Sequence, residues 1–309
     1  MKDPMNPYAQ STIAVSVSSV TEYVRCWLKA LRVKQWVKNF FVLAPFLMGP
    51  QFGANEYLTK SLLGALLFCL MSSAVYLLND LVDVRADRQH PVKQHRPIAA
   101  GIIAPVLAGG VALIMAVGTL VGAAFLEPRF FVVLCLYVLN NFLYSFFLKE
   151  KTVIDVISIA IGFVMRIYAG GFLIDVEVTN WLVVCVFALS LMIGFGKRRS
   201  ELEDLGATAG LVRAVNDSYS VQKINMLVGS SASITILAYM LYSVSPETKA
   251  LHGTDKVIFT VPLVVYCIYR FMLKVQEPRR GEPVELLFKD RGFVLAGLMW
   301  LAGMLVLMH

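Results

Sequence analysis

The chain has 309 residues, of which 58% are hydrophobic and only 16% charged, against about 25% charged in an ordinary soluble domain. A mean hydropathy of +0.68 leaves too little polar surface to face water on all sides, so a soluble globular protein is excluded and an integral membrane protein remains. A net charge of +7 often signals nucleic acid, but the distribution of the cations along the chain accounts for it better, and no nucleic-acid partner is expected.

Residues 1–18 read as a flexible N-terminus and 19–309 as a single membrane domain. The first twenty residues lack a continuous apolar run behind a basic start, so no cleaved signal peptide is expected. Val20, Val24, Trp27, Leu28 and Leu31 then recur at helical spacing, with Arg25, Lys29 and Arg32 on other faces. This predicts a basic amphipathic helix in the membrane interface. Nine apolar stretches follow, at 38–53, 60–82, 103–124, 130–148, 153–174, 180–196, 226–245, 256–274 and 292–309. Each approaches the roughly 20 residues that a spanning helix needs. The first is the weakest, interrupted by Pro45, Gly49 and Pro50. The expected fold is an all-α polytopic bundle of nine transmembrane helices. The five cysteines are widely spaced, with no paired motif, and read as buried free thiols.

Assigning the 28 basic residues to alternate connections places 22 on one side and four on the other, with Arg166 and Arg270 inside spans. The positive-inside rule then sets the N-terminus in the cytoplasm and the C-terminus outside a plasma (inner) membrane. The second span ends, on the cytoplasmic side, in YLLNDLVDVRADR at 76–88. On a helix Asn79, Asp83 and Asp87 stack on one face, and Asp80 flanks them. Stacked carboxylates at the foot of an apolar span repel one another unless a cation sits on them. Oxygen ligands of this kind suit Mg²⁺, which keeps positions open for substrate phosphates. Asp80, Asp83 and Asp87 are therefore the candidate metal ligands and catalytic residues. The plainer alternative is a solvated helix end paired with Arg85 and Arg88. Next comes HPVKQHRPIAAG at 90–101, where Lys93 and Arg96 suit phosphate oxygens. His90 and His95 read equally as surface residues.

NDxxDxxxD followed by RPIAAG resembles the first aspartate-rich motif of the UbiA superfamily of intramembrane prenyltransferases. YSFFLK at 144–149 and Asp155 are similar to that superfamily as well. RVKQWVKN at 32–39, RIYAGG at 166–171, GKRRSEL at 196–202 and KDR at 289–291 resemble the branch that phosphoribosylates a lipid phosphate. The resemblance implies transfer of 5-phosphoribosyl from phosphoribosyl diphosphate to a polyprenyl phosphate of decaprenyl type. Pyrophosphate is released, and the product serves cell-envelope polysaccharide synthesis. Mg²⁺ is the implied cofactor and the site faces the cytoplasm. Ordinary members carry a second aspartate-rich motif after span six, whereas this chain reads GKRRSELED at 196–204. One acidic and one basic motif suit a load of several phosphates, only some of them needing metal. Lys197, Arg198 and Arg199 are expected to hold the remaining phosphates, with Glu201 of the same stretch as a further substrate-binding residue. A topology anchor at the membrane edge is the plainer alternative, and both can be true.

Arg166 stands well inside span five, where a charge costs about 2.5–3.5 kcal/mol, so it is expected to face a polar substrate cavity. Asn140, Asn141 and Tyr144 either line that cavity or bind helices together. Lys34, Gln35, Lys38 and Asn39 are expected to complete the pocket, with Asn79, Tyr144 and Lys149 as further substrate contacts. Two other functions remain open on sequence. An ordinary prenyltransferase acting on an aromatic acceptor shares the first motif, and a membrane transporter shares the intramembrane charges. Assembly into a homo-oligomer is also left open.

Overall fold

The computed structural model describes residues 20–89, 93–205, 219–277 and 289–308. The expected flexible N-terminus at 1–18, together with His90, lies outside the described residues. Every described element is a helix. Eight are long and apolar enough to cross a membrane: Asn55–Val82, Pro105–Leu126, Pro128–Leu148, Ile154–Leu173, Asn180–Glu203, Val221–Val244, Lys256–Gln276 and Arg291–Met308. The chain is an integral membrane protein. Expected boundaries and observed ones agree within a few residues for seven of these, and the span expected at 180–196 runs on as a helix to Leu205.

The exception is the first expected span, 38–53. Here Val33–Leu43 is a 3₁₀ helix and only Ala44–Leu47 is α-helical. Pro45, in the first turn of the short α-helix, has no amide to bond back into the preceding residues, so no α-helix runs through it. By helix length the described residues thus supply eight spans rather than nine. Val20–Ala30 is helical, as its spacing predicts.

The described residues group into two compact units, one from 1–36 and 69–118, the other from 37–68 and 119–309. In the first, Ala30, Leu77, Ile98, Ile103, Ala108 and Ala112 form the buried core, with Trp27, Leu31 and Leu81 packed against it. Small residues at 108 and 112 let Pro105–Leu126 come close, since alanine leaves little between two backbones. The indole of Trp36 donates to Ser73 Oγ at 3.0 Å, and that hydroxyl donates to the Leu31 carbonyl at 2.8 Å. Helical backbone bonding continues past Val82: the Asp83 amide reaches Asn79 at 3.0 Å and the Asp87 amide reaches Asp83 at 2.8 Å. Gly101 closes the following turn with φ +76°, a conformation that glycine adopts without a steric cost.

In the second unit, one core gathers Val156, Met192, Phe195, Ile224, Phe271 and Val275. Another joins Tyr239, Tyr242, Val257, Val261 and Met304. Polar side chains inside it are satisfied: Trp300 donates to the Tyr239 hydroxyl at 2.7 Å, and that hydroxyl meets Thr260 Oγ1 at 2.6 Å. A Cβ on Gly170 would overlap the carbonyl of Val42, so only glycine admits the 3₁₀ segment at this place on Ile154–Leu173.

Candidate functional site

In the first unit the helix end carrying the acidic motif is held on the protein side by burial. Asp80 is 3% exposed and Asp87 2%. Their separation of seven residues puts them on one face two turns apart, and both converge on the same arginine. Arg96 Nη1 donates to Asp87 Oδ2 at 2.6 Å and to Asp80 Oδ1 at 3.1 Å. Arg32 Nη2 donates to that same Asp80 oxygen at 2.6 Å. Its guanidinium lies 4.5 Å above the Tyr76 ring, a cation–π contact. Arg32 adopts φ +51°, uncommon for a side chain with a Cβ, and the ion pair with Asp80 accompanies it. The acidic face is thus neutralised from within by two arginines. Asp83, Asn79 and Lys93 lie half-buried beside this pair of carboxylates in sequence, and Lys34 is exposed, with Gln35 bonded through its amide to the Arg32 carbonyl at 2.7 Å.

Among the described residues no three His, Cys, Asp or Glu side chains are gathered to hold a metal ion. The donor set nonetheless fits magnesium. Its protein ligands are commonly one or two carboxylates, the remaining positions being filled by water and substrate phosphate. Asp80 and Asp87 supply two, and the cationic nitrogen of Arg96 already stands where they converge.

In the second unit the basic stretch behaves differently from expectation. Arg198 and Arg199 do not offer an open anion surface: their side chains are 4% and 6% exposed. Arg198 donates to Asp155 Oδ2 at 2.8 Å and to Glu201 Oε2 at 2.7 Å. Arg199 donates to Asn225 at 2.7 Å, to Glu203 at 2.8 Å and to the Val275 carbonyl. Burial demands such partners, because an unpaired charge in a low-dielectric interior costs several kcal/mol. Lys197, the remaining cation of the run, is half-buried. Asp155 is fully buried and also accepts from the Tyr219 hydroxyl at 3.3 Å. That hydroxyl accepts the Val153 amide at 2.6 Å, and burial pushes the phenol up to about 12.

Arg166, expected to face a polar substrate cavity, is buried within an aromatic cage with protein partners for its guanidinium. Its guanidinium lies 4.8 Å from the Phe68 ring centre, 5.0 Å from Tyr137 and 5.4 Å from Phe163. Nε donates to Asn39 Oδ1 at 2.8 Å, Nη1 to the Gly162 carbonyl at 2.7 Å, and Nη2 to the Tyr137 hydroxyl at 3.3 Å. Asn39 is thus brought to Arg166, a pairing that a separation of 127 positions hides from sequence. Asn140 and Asn141 act between and within helices: the first donates to the Ser158 carbonyl at 3.0 Å, the second to the Tyr137 carbonyl at 2.7 Å. Tyr144 begins a π-helical turn, Tyr144–Leu148, which the Lys149 amide closes on the Tyr144 carbonyl at 3.0 Å. Lys38 is half-buried at the start of this unit.

Three residues beyond the sequence-predicted set emerge: Arg32, Asp155 and Tyr219. Arg32 and Asp155 stand in the short blocks already singled out. Tyr219 carries no local signal. Outside the spans, Asp290 is held down at about 2, first by the Arg270 guanidinium and then by the Phe293 amide.

The described residues thus form a polytopic all-helical membrane protein in which one spanning helix ends in buried carboxylates shared with arginines. The chain belongs to the UbiA prenyltransferase family, which matches residues 39–294. It is 33% identical over 279 residues to a decaprenyl-phosphate phosphoribosyltransferase of Mycobacterium tuberculosis, covering 89% of this chain and 91% of that one. It is 31% identical to the protein so named in Mycolicibacterium smegmatis, covering 89% of each. Among solved structures it resembles a UbiA homolog from Archaeoglobus fulgidus bound to DMAPP and Mg²⁺, with a TM-score of 0.70 at 19% identity over 91% of this chain and 98% of that one. At that identity the likeness speaks for the fold.

Proposed function

We propose that this enzyme transfers 5-phosphoribosyl from phosphoribosyl diphosphate to a polyprenyl phosphate of decaprenyl type, with release of pyrophosphate. The observation that carries this reading is the self-neutralised stretch after Asn180. Its described acids, Glu201 and Glu203, are both taken by arginines, and Arg198 also occupies Asp155. A second carboxylate-held metal site, such as a prenyl diphosphate requires in ordinary members, is not made from these residues. The relatives named decaprenyl-phosphate phosphoribosyltransferase, similar over most of both chains, support the same reading.

In the reaction an oxygen of the lipid phosphate bonds to C1 of the ribose as the C1–O bond to pyrophosphate breaks. The lipid phosphate is already anionic, so the chain need not supply a strong general base. The Mg²⁺ that accompanies a UbiA homolog fits Asp80 and Asp87 here, with Asp83 as a further candidate ligand, and when bound supplies charge neutralisation for the leaving pyrophosphate. Lys93 and Arg96 orient diphosphate oxygens, Arg96 by a two-pronged contact. Each such cation is worth about 3 kcal/mol of transition-state stabilisation. Lys197, Lys149, Lys38 and Lys34 are the remaining candidates for the lipid phosphate and the 5-phosphate. Arg198, Arg199, Arg166 and Asn39 act by holding helices in place.

The cytoplasmic placement of the acidic end rests on the positive-inside rule, with 22 cations on one side of the expected spans and four on the other.

Purified protein incubated with labelled phosphoribosyl diphosphate and decaprenyl phosphate should yield a labelled, organic-soluble lipid. Prenylation of 4-hydroxybenzoate from a prenyl diphosphate, with no labelled lipid from phosphoribosyl diphosphate, would overturn the assignment and leave the family alone standing.

A further inference from the structure

We infer that Arg96 is a resident counter-cation of the acidic face, exchanged from the carboxylates to a diphosphate when a divalent metal arrives. The inference rests on the proposed function for the presence of metal and diphosphate. It adds that the two bind as a coupled pair, and that Arg96 is the coupling residue.

Asp80 and Asp87 are buried, and two charges out of water need a cation close by. Arg96 Nη1 supplies it to both at once. The pair is not sealed, however. The Arg96 side chain is 29% exposed, whereas that of Arg198, which bridges Asp155 and Glu201 in the second unit, is 4% exposed. Similar bridging geometry therefore has two outcomes: a fixed structural link at Arg198 and an exchangeable one at Arg96. The backbone around Arg96 is anchored, with Pro97 and Ile98 buried behind it and its amide bonded to the Lys93 carbonyl at 2.9 Å. Movement is left to the side chain. Arg32 stays with Asp80, because stacking on Tyr76 fixes its guanidinium as well.

A bare divalent ion must compete with Arg96 for two carboxylates and would strand a guanidinium without an anion. A metal bound to diphosphate brings the anion that the displaced guanidinium needs, in the bidentate geometry that arginine favours. Metal and diphosphate therefore raise each other's affinity, and the coupling is reciprocal.

Equilibrium dialysis of the full-length protein in nanodiscs tests this, with Mn²⁺ as probe, either free or premixed one-to-one with inorganic pyrophosphate. The wild type should retain the premixed complex at least about tenfold more tightly than free Mn²⁺, within the usual range of coupling between sites. Arg96→Gln should bind free Mn²⁺ about tenfold more tightly than the wild type and lose most of the preference for the complex. Arg96→Lys, which keeps a cation beside the carboxylates, should bind free Mn²⁺ as weakly as the wild type. Equal wild-type affinity for free and premixed Mn²⁺ overturns the exchange without any variant. So does an Arg96→Gln protein, folded by its melting curve, that binds free Mn²⁺ no better than the wild type. If the wild type retains neither form, the metal-dependent reading of the site falls as well.

Discussion

The hydroxyl of Tyr219 accepts the amide of Val153 at 2.6 Å, although 66 residues separate them. Val153 needs that bond. It is β-branched yet adopts φ +69°, a left-handed conformation that costs about 1–3 kcal/mol. The same hydroxyl donates to Asp155, so one phenol fixes both the strained turn and the carboxylate that holds Arg198.

The alkaline stability of the protein should report this phenol. Burial raises Tyr219 to about 12, above the value near 10 of a solvated tyrosine. Below pH about 10 the proton is bound in both folded and unfolded chains. Between that pH and about 12 only the unfolded chain releases it, so stability falls as pH rises. Thermal melts of Tyr219→Phe across this window should show a shallower fall than the wild type, from a lower starting stability. Parallel curves would show that another group governs the alkaline limb.

At the acid end the sign reverses. Asp290 is depressed to about 2, chiefly by Arg270, so its contribution is complete above the ordinary aspartate value of about 3.9 and is lost as pH falls through 2. Asp290→Asn should therefore be less stable than the wild type at pH 6 and converge with it near pH 2, as read by thermal melts at each pH. A constant gap between the two proteins would sink the assignment.

Arg198 and Asp155 provide a test of structural against phosphate-binding roles. Removing one member of a buried pair costs about 3–5 kcal/mol, whereas replacing both with apolar residues is often close to neutral. Arg198→Met should lower the melting temperature sharply, and adding Asp155→Leu should recover much of it. Additive losses in the double variant would show that the pair is not the unit of stability.

Turnover should depend on the acidic pair and on a divalent ion together. Asp80→Asn and Asp87→Asn are each expected to reduce phosphoribosyl transfer at least about a hundredfold. Excess chelator should stop the wild type and Mg²⁺ restore it. Wild-type rates in chelator would remove the metal from the mechanism.

Orientation is open to direct labelling. A cysteine-reactive or tag reporter after residue 309 should be reached from the outer face only, and one near residue 210 from the cytoplasm only. The expectation rests on the placement of 22 cations on one side and four on the other. Reporters reached from the same face would mean that 33–53 turns back within the membrane.

The eight spanning helices were legible because hydropathy and length read the same way in lipid as in sequence. For the first segment the interruption at Pro45 was legible, but its close approach to Gly170, on a helix more than 100 residues later, was not. Asp80 and Asp87 were legible as a pair because a seven-residue spacing at helical period puts them on one face, and helical bonding continues from Asn55–Val82 into Val84–Gln89. Their arginine partners were less so: Arg32 comes from 48 residues away and Arg96 from a turn beyond the helix. The partners of Arg198 were hidden for the same reason. A run of three cations gives no sign of Asp155, 43 residues earlier, to which Arg198 donates.

The contact between Asn39 and Arg166 also bears on the order of assembly. Extending the chain by the 127 positions from Asn39 to Arg166 takes roughly 6–25 s at ordinary elongation rates. The 3₁₀ segment emerges early, yet its seat against Gly170 is made late, so it must dock after Ile154–Leu173 has entered the bilayer. A chain stalled before residue 166 will already carry its acidic helix end while its 3₁₀ segment is still waiting for a place to rest.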